Sequence, residues 1–170
     1  MTRDQVLTNP RHAGEVIRYH TWPMHHRQTV GEHTWQVMRI YLQIFGPLSP
    51  EVSTYIIWHD TGELVTGDLP FPVKRDNPHL KAECDFIEKR ARVLMGGPPL
   101  EFKLSEEESN RGKLCDLIDM YEQGKIEVAM GNQYGLPIVN DVRANIIEFM
   151  KRLTLEDRAA VNLYLGEGIL

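Results

Sequence analysis

The dipeptide His59-Asp60 lies in a segment whose remaining residues are typical of a buried helix. Val52, Tyr55 and Ile56 recur at helical spacing, and His59 shares their inner face. An aspartate without a partner is costly to bury, so a fold that encloses this segment must compensate its charge. The dipeptide therefore predicts a helical core built around a charged centre.

A second histidine lies on the inner face of another predicted helix. Thr29 and Glu32 have capping-box spacing, and we expect the helix they open to run to about Phe45. Its apolar face is formed by residues three or four positions apart: Val30, His33, Val37, Ile40 and Ile44. Taken alone, His33 is more often a hydrogen-bonded core residue than a metal ligand.

A second aspartate follows on a third predicted helix. Ser105 and Glu108 form another capping box, and we expect Gly124 to end the segment. Its buried stripe consists of Leu114, Leu117, Ile118 and Tyr121. Asp116 lies beside this stripe, where a lone carboxylate is usually a surface or capping group.

The remaining helix-capping residues, prolines and glycines predict an all-α fold. Ser49-Pro50 starts a helix toward Val65, residues 67–78 form an ordered loop, and Asn77-Pro78 starts a helix that Gly96-Gly97 stops. Asn140 and Thr154 are expected to cap two closing helices. Alternating β-branched runs are few, so no strands are expected. The sequence predicts one compact single-domain helical bundle over residues 1–170.

Composition excludes several classes of protein. The 170 residues, 42% hydrophobic and 25% charged, suit one globular domain, and the net charge of −5 disfavours nucleic acid as a partner. Two cysteines are too few for a disulfide framework or a thiolate cluster. We expect neither export nor membrane insertion, because no leader opens the chain and apolar runs are short. A cytoplasmic location is the resulting expectation.

Two imidazoles and two carboxylates from three helices suit one divalent cation. His33, His59, Asp60 and Asp116 offer ligands for zinc, cobalt, manganese or magnesium, and the residue types do not select among these ions. An ion held in this way leaves positions for water and substrate, which predicts a metal-dependent hydrolase. Glu63, one turn after His59, is the candidate for water activation, with a solvated helical carboxylate as the alternative.

Cations near these positions suit a phosphorylated substrate. Lys113 precedes Asp116 by three residues, Lys74 ends a turn-rich run, and Arg18 precedes an aromatic cluster. For each of them a solvated surface charge is the alternative.

Flat and polar groups nearby suit a nucleoside. Tyr19 and Trp22 offer apolar faces on which a base can stack, although core packing would use them equally well. The Asp68 carboxylate suits a sugar hydroxyl, or it forms an Asx turn.

The motifs resemble those of the HD-domain phosphohydrolases. Val30-Gly31-Glu32-His33-Thr34, Trp58-His59-Asp60-Thr61-Gly62-Glu63 and Lys113-Leu114-Cys115-Asp116 match that pattern in order. The stretch Thr66-Gly67-Asp68-Leu69-Pro70 through Pro72-Val73-Lys74 narrows the resemblance to YfbR-type 5′-deoxynucleotidases and phage dATP triphosphohydrolases. It covers roughly residues 10 to 125.

The resemblance implies a role for each matching residue. It gives His33, His59, Asp60 and Asp116 to the catalytic metal, Glu63 to water activation and Asp68 to a position near the deoxyribose. It places the remaining substrate contacts in two groups: Arg18, Lys74 and Lys113 for phosphate, and Tyr19, Thr21 and Pro72 around the base. It also implies a homo-oligomer with a small deoxynucleotide as substrate.

Among the related activities, the compact length and the Arg18–Trp22 region favour a dATP triphosphohydrolase. Such an enzyme releases deoxyadenosine and triphosphate when metal-activated water attacks the α-phosphorus. A phage that depletes dATP in its host's cytoplasm is the setting that analogy suggests. The alternatives are a 5′-deoxynucleotidase acting on monophosphates, a non-catalytic nucleotide-binding module, and a plain helical scaffold with core histidines.

Overall fold

A computed structural model describes residues 6–166, and this part of the chain is built from helices without any strand. The helices span Pro10–Ala13, Val30–Phe45, Pro50–Trp58, Glu63–Thr66, Phe71–Asp76, Pro78–Leu94, Glu106–Ala129, Gly135–Met150 and Leu155–Leu165. An isolated antiparallel bridge joins Ile17 and Thr29. The all-α prediction is confirmed.

The chain divides into two compact units. Among the described residues, the first contains 6–23, 27–34 and 57–103, and the second contains 24–26, 35–56 and 104–166. Helices Val30–Phe45 and Pro50–Trp58 each contribute residues to both units. The assignment of residues 1–170 to a single domain stays a prediction.

In the first unit, a short antiparallel arm fixes the approach to the His33 helix. The Arg18 amide donates to the Gln28 carbonyl at 2.9 Å, and the Val30 amide donates to the Val16 carbonyl at 2.9 Å. Thr29 caps the helix by accepting from the Glu32 amide, while the Glu32 carboxylate accepts from the Thr29 amide. The predicted capping box is therefore present, and it fixes where the helix begins.

The second unit holds the apolar core. Its most buried members come from the long helices and include Val37, Ile40, Val52, Ile56, Leu114, Ile118, Ile146 and Val161. Ser105 and Glu108 form the second predicted capping box at the start of Glu106–Ala129, and Thr154 caps the last helix. These two caps are where the sequence predicts them.

Two predicted helix ends in the second unit are wrong. Helix Glu106–Ala129 continues through Gly124. This glycine lies where helix Gly135–Met150 approaches closely, since a Cβ there would stand 3.0 Å from the Val139 side chain. Asn140 is not a cap, since the closing helix begins five residues earlier at Gly135. Its Pro137 lies in the first turn, where a missing amide costs nothing.

Two predictions in the first unit also need correction. The segment 67–78 is not entirely loop, because Phe71–Asp76 is helical and Pro72 lies in its first turn. The helix expected to run from Ser49-Pro50 to Val65 ends at Trp58 and restarts at Glu63. Helix Pro78–Leu94 has the predicted bounds within two residues.

No helix of residues 6–166 combines the length and apolar character that crossing a bilayer requires.

Candidate metal centre

Three ligand-type atoms converge in the first unit. The Nε2 atoms of His33 and His59 are 3.2 Å apart, and each is 3.4 Å from Oδ2 of Asp60. These three residues form a group whose ligand atoms lie within 4.8 Å of one another. His33 is fully buried, and His59 and Asp60 are partly buried.

This donor set fits a divalent cation. Two ring nitrogens and one carboxylate oxygen lie close together, and these are donor atoms that borderline metal ions accept from proteins. The Asp60 carboxylate lies close to both imidazoles, as it would if all three side chains bound the same cation.

The helix break after Trp58 explains how the side chains of His59 and Asp60, although adjacent in the chain, both reach the candidate metal site. The Thr61 hydroxyl donates to the Ile57 carbonyl at 3.0 Å and competes with the helical backbone for it. The Glu63 amide then bonds the Asp60 carbonyl at 3.0 Å, three residues back. His59 and Asp60 thus lie in a turn, and the expected continuous helix with Asp60 a further 100° round its axis is wrong.

Helix Pro78–Leu94 supports this turn from outside. Nη1 of Arg92 donates to the His59 carbonyl at 2.9 Å and lies 3.4 Å from the Trp58 carbonyl. Gly62 lies against the Glu88 backbone, where a Cβ would come within 2.6 Å. The Thr66 hydroxyl donates to the Glu88 carboxylate at 2.8 Å. The segment 59–66 is therefore held along its whole length.

Arg18 is the cation closest to the predicted ligands. Its Nη1 donates to Asp60 Oδ2 at 2.6 Å, and the residue is 8% exposed. Burial raises the pKa of Asp60, but the positive charges of His59, Arg18 and His33 outweigh burial and hold this pKa well below its usual value. Asp60 is therefore a carboxylate at any pH near neutrality.

Glu63 has the opposite environment. Burial, together with the negative charges of Asp60 and Asp68, raises its pKa to about 8. Lys74 Nζ lies 3.5 Å from Glu63 Oε1, and its charge lowers this pKa by less than burial raises it. Oε2 of Glu63 is buried without a hydrogen-bond partner. Glu63 is 3% exposed, so its alternative role as a solvated helical carboxylate is wrong. It has the pKa of a group that exchanges a proton near neutral pH.

Lys74 is held between acidic groups. Burial lowers its pKa, but the carboxylates of Glu63, Glu88 and Asp60 outweigh this effect and raise it. The side chain therefore keeps its positive charge next to Glu63, and its assignment to phosphate stays a prediction.

Asp68 has a structural contact already. Its Oδ2 accepts a hydrogen bond from the Tyr19 amide at 2.9 Å. Tyr19 has a φ of +56°, in the left-handed region that few side chains adopt, so the carboxylate stabilises an unusual backbone bend. The contact joins residues 49 positions apart and is therefore not the local Asx turn that was the alternative for Asp68.

The predicted base-contact residues lie at the surface of the first unit. Thr21 and Pro72 are exposed, Tyr19 is partly buried, and Trp22 is 40% exposed. An indole exposed to this extent is not a core residue, which removes the packing alternative for Trp22.

Asp116 and Lys113 lie on helix Glu106–Ala129 in the second unit. Asp116 is partly buried and Lys113 is exposed. Their assignments to the metal and to phosphate stay predictions from the sequence.

Sequence reasoning missed Arg92 and Glu88. Glu88 shares the buried face of its helix with Cys84 and Ala91. A carboxylate at an inward position is the signal that would have identified it. Arg92 carries no such signal, because its role depends on two carbonyl groups that the helix break releases.

Comparison with known proteins places the chain in a family. The family model described as 5′-deoxynucleotidase YfbR-like matches residues 13–156. The chain belongs to the YfbR-like 5′-deoxynucleotidase family. This confirms the family resemblance seen in the sequence.

Several bacterial 5′-deoxynucleotidases are similar to this family member. One from Pasteurella multocida is 33% identical over 52% of this chain and 52% of its own length. One from Erwinia tasmaniensis is 29% identical over 72% of this chain and 64% of its own length. One from Vibrio parahaemolyticus is 31% identical over 71% of this chain and 75% of its own length. The chain therefore spans between about half and two thirds of the length of the first two relatives.

A solved structure has the same fold. It is the cyanophage S-2L HD phosphohydrolase DatZ, bound to dA and one catalytic Zn²⁺ ion. The superposition has a TM-score of 0.72 at 19% sequence identity and covers 99% of this chain and 97% of that chain. The predicted HD-type helical fold is confirmed.

Proposed function

We propose that this protein is a metal-dependent deoxynucleotide phosphohydrolase that cleaves the bond between the 5′ oxygen and the α-phosphorus. The convergence of His33, His59 and Asp60 beside Arg18 and Glu63 carries the proposal. Family membership and the 5′-deoxynucleotidase relatives support the substrate class.

The metal would be held by the two Nε2 atoms and Asp60 Oδ2, with Asp116 the fourth ligand that the sequence predicts. A divalent ion bound there supplies a Lewis acid for the phosphoryl oxygen and lowers the pKa of water. Its identity among zinc, cobalt, manganese and magnesium is open. The Zn²⁺ of DatZ makes zinc the first ion to test.

The side chains around this set have separate tasks. In this proposal Glu63, whose buried carboxyl lies beside Lys74, accepts a proton from the attacking water. Arg18 and Lys74 neutralise the charge that develops on the phosphate oxygens. Water adds to phosphorus as the bond to the 5′ oxygen breaks, and the departing oxygen takes a proton.

The contacts to the nucleoside follow from the surface groups. In the proposal the partly exposed Trp22 indole stacks on the base, flanked by Tyr19, Thr21 and Pro72. The second oxygen of Asp68 remains to accept from a sugar hydroxyl.

Between two substrates, we favour the deoxynucleoside 5′-monophosphate. The family model and the relatives all carry the description 5′-deoxynucleotidase, which shifts the balance away from the triphosphate favoured by the sequence alone. The second candidate is a dATP triphosphohydrolase, supported by the whole-length fold match to a phage enzyme bound to dA.

One assay separates these candidates. Purified protein is incubated with each dNMP, dNTP and rNTP in the presence of cobalt, manganese, zinc or magnesium, and the products are resolved. Orthophosphate from monophosphates supports the first candidate, and triphosphate with deoxyadenosine from dATP supports the second. No hydrolysis with any ion would overturn both.

Two variants test the residues. Asp60→Ala should lose bound metal and activity together, while Glu63→Gln should retain metal and lose at least about 100-fold in kcat. Glu101→Gln, at an exposed position, is the matched control. An Asp60→Ala protein with full metal content would exclude the site. The same metal analysis on Asp116→Ala tests the sequence prediction for that residue.

A further inference from the structure

Glu127 is a fully buried carboxylate in the second unit. It is one of the buried residues of helix Glu106–Ala129, and 0% of its surface is exposed. Its two oxygens accept hydrogen bonds from consecutive backbone amides, Oε2 from His25 and Oε1 from His26, each at 2.8 Å. Residues 24–26 belong to the same unit as Glu127. One carboxylate therefore binds two adjacent amides of a segment that lies more than 100 positions earlier in the chain.

The Glu127 side chain is also fixed from behind. Nδ2 of Asn132 donates to Oε2, and the Asn132 amide donates to the Glu127 carbonyl at 2.9 Å. Gly135 lies so close that a Cβ there would stand 2.9 Å from the Glu127 Cβ. Burial raises the pKa of Glu127, but the hydrogen bonds from His25, His26 and Asn132 outweigh burial and lower it. Glu127 is therefore an oriented carboxylate that forms charge-assisted hydrogen bonds near neutral pH.

The segment that Glu127 binds is held mainly through its backbone. Met24 is partly buried, and the side chains of His25 and His26 are exposed. Exposed side chains bury little apolar surface, so they contribute little toward the entropy that ordering the segment costs. The two amides are paired with a carboxylate that is shielded from water, and losing this partner would leave them unsatisfied. The conformation of residues 24–26 therefore depends on Glu127.

This segment directly follows the residues for which we propose contacts with the base. Trp22 precedes His25 by three residues, and the Trp22 amide donates to the Tyr19 carbonyl at 2.9 Å. Thr21 and Trp22 are exposed, so packing does little to fix them. Three residues of chain span at most about 10 Å. Fixing the backbone at His25 therefore limits the positions that the Trp22 indole can reach.

We propose that Glu127 is a positioning residue for base recognition, because its contact with the His25 and His26 amides holds the preceding residues where Trp22 can stack on the base. This inference rests on the proposed function, and in particular on the contact between Trp22 and the base. Glu127 itself touches no substrate atom in this scheme. When its contact is lost, the segment samples other conformations, and the apparent affinity falls with the fraction that remains competent to bind.

A phosphate ester without a base separates this role from a general loss of structure. Glu127→Gln keeps the size of the side chain but replaces one acceptor oxygen by an NH₂ group, which cannot accept from an amide. KM for deoxynucleoside monophosphates should rise at least about tenfold, because hydrogen bonds to a charged acceptor are lost. With 2-deoxyribose 5-phosphate, assayed as a substrate and as a competitive inhibitor, the variant should match the wild type within about twofold.

Two further variants make this comparison specific. Asp157 is another buried carboxylate of the second unit, 3% exposed and hydrogen-bonded to Arg111. Asp157→Asn should lower stability and leave KM for both compounds unchanged. Asn132→Ala removes the support behind Glu127 and should raise KM for the nucleotide by a smaller factor than Glu127→Gln. Circular dichroism shows whether each variant is folded, and Asn132→Ala decides the question if Glu127→Gln is not.

Hydrogen exchange measured by NMR tests the contact without any substrate. The amides of His25 and His26 should exchange at least about tenfold faster in Glu127→Gln than in the wild type or Asp157→Asn. Helix Val30–Phe45 should keep its protection in all three proteins.

The outcomes distinguish this inference from the proposed function. A wild type that hydrolyses deoxynucleotides, with a Glu127→Gln variant that keeps its KM or its exchange rates, would overturn this inference alone. Equal rises in KM for the nucleotide and for 2-deoxyribose 5-phosphate would also overturn it, because they would assign Glu127 to the general stability of the fold. A wild type without any hydrolysis would overturn the proposed function and, with it, the role in base recognition.

Discussion

At the scale of single residues, two neighbouring carboxyl groups have opposite proton affinities. Asp60 is beside Arg18 and two imidazoles, whereas Glu63 is buried near the charges of Asp60 and Asp68. Environment, and not residue type, separates a permanent carboxylate from one that exchanges protons near neutral pH.

Glu63 should make the metal-free protein less stable as the pH rises. Its pKa is about 8 in the folded state against a usual value of 4.5. The folded state therefore binds this proton more tightly, and the stability it contributes is full below pH 4.5 and lost as the pH rises through about 8. Relative to Glu63→Gln, the wild type should lose up to about 1.4 kcal/mol per pH unit in this window.

Urea denaturation of chelator-treated protein between pH 5 and 8 measures this difference. Glu101→Gln provides the control, and it should follow the wild type at every pH. Parallel curves for the wild type and Glu63→Gln would show that the carboxyl is not protonated in the folded state.

Arg92 should affect metal affinity without touching the metal. It holds the His59 carbonyl, so Arg92→Met should free the turn and weaken metal binding about 10- to 100-fold, as loss of a group supporting a ligand commonly does. Arg92→Lys should recover part of the affinity. Competition with a chromogenic chelator gives the value, and Lys89→Met on the same helix should match the wild type.

At the scale of helices and turns, the sequence predicted features that depend on neighbouring residues and did not predict those that depend on distant ones. Both capping boxes and the Thr154 cap could be predicted because their partners are three residues away. The break after Trp58 could not, since it depends on Arg92 and on the backbone of Glu88, each about 30 positions distant. Gly124 was misjudged for the same reason: a glycine at a helix crossing and one at a helix end look alike in sequence.

In the candidate metal centre, too, local features could be predicted from the sequence and long-range ones could not. His33 could be placed on an inner face by periodicity, and its burial follows that prediction. The direction of the Asp60 side chain could not be predicted, because it depends on the geometry of the turn. The contact of Asp68 with Tyr19 could not be predicted either, because it joins two segments that are distant in the sequence.

Gly62→Ala should loosen the turn that carries the predicted ligands. The new Cβ would come within 2.6 Å of the Glu88 Cα and carbonyl oxygen, both backbone atoms, so helix Pro78–Leu94 must shift. We expect a loss of about 1–3 kcal/mol in unfolding free energy, with weaker metal binding. Thermal and chelator titrations measure both quantities. Gly14→Ala is the control, because its Cβ would meet only ordinary contacts at 3.7 Å or more.

At the scale of the whole molecule, predicted ligands that are far apart in the sequence link ion binding to folding. An ion that binds only the folded chain stabilises it by an amount that grows with concentration, about 2.7 kcal/mol at 100 times Kd. For a chain of this size, chelation should lower Tm by roughly 5 to 10 °C. Differential scanning calorimetry checks this.

The Asp60→Ala variant completes that experiment. Without a principal ligand, its Tm should be the same with and without chelator. A chelator effect of equal size in this variant would assign the ion to other groups.

The left-handed bend at Tyr19 has a further consequence for how this protein can change over evolutionary time. It directs Arg18 inward and leaves His20 at the surface, while the bridge at Ile17 fixes the strand-like arm just before it. Deleting or inserting one amino acid here would exchange which neighbour faces the interior and carry the guanidinium out to water. Relatives should therefore vary in composition along this stretch and keep its length constant.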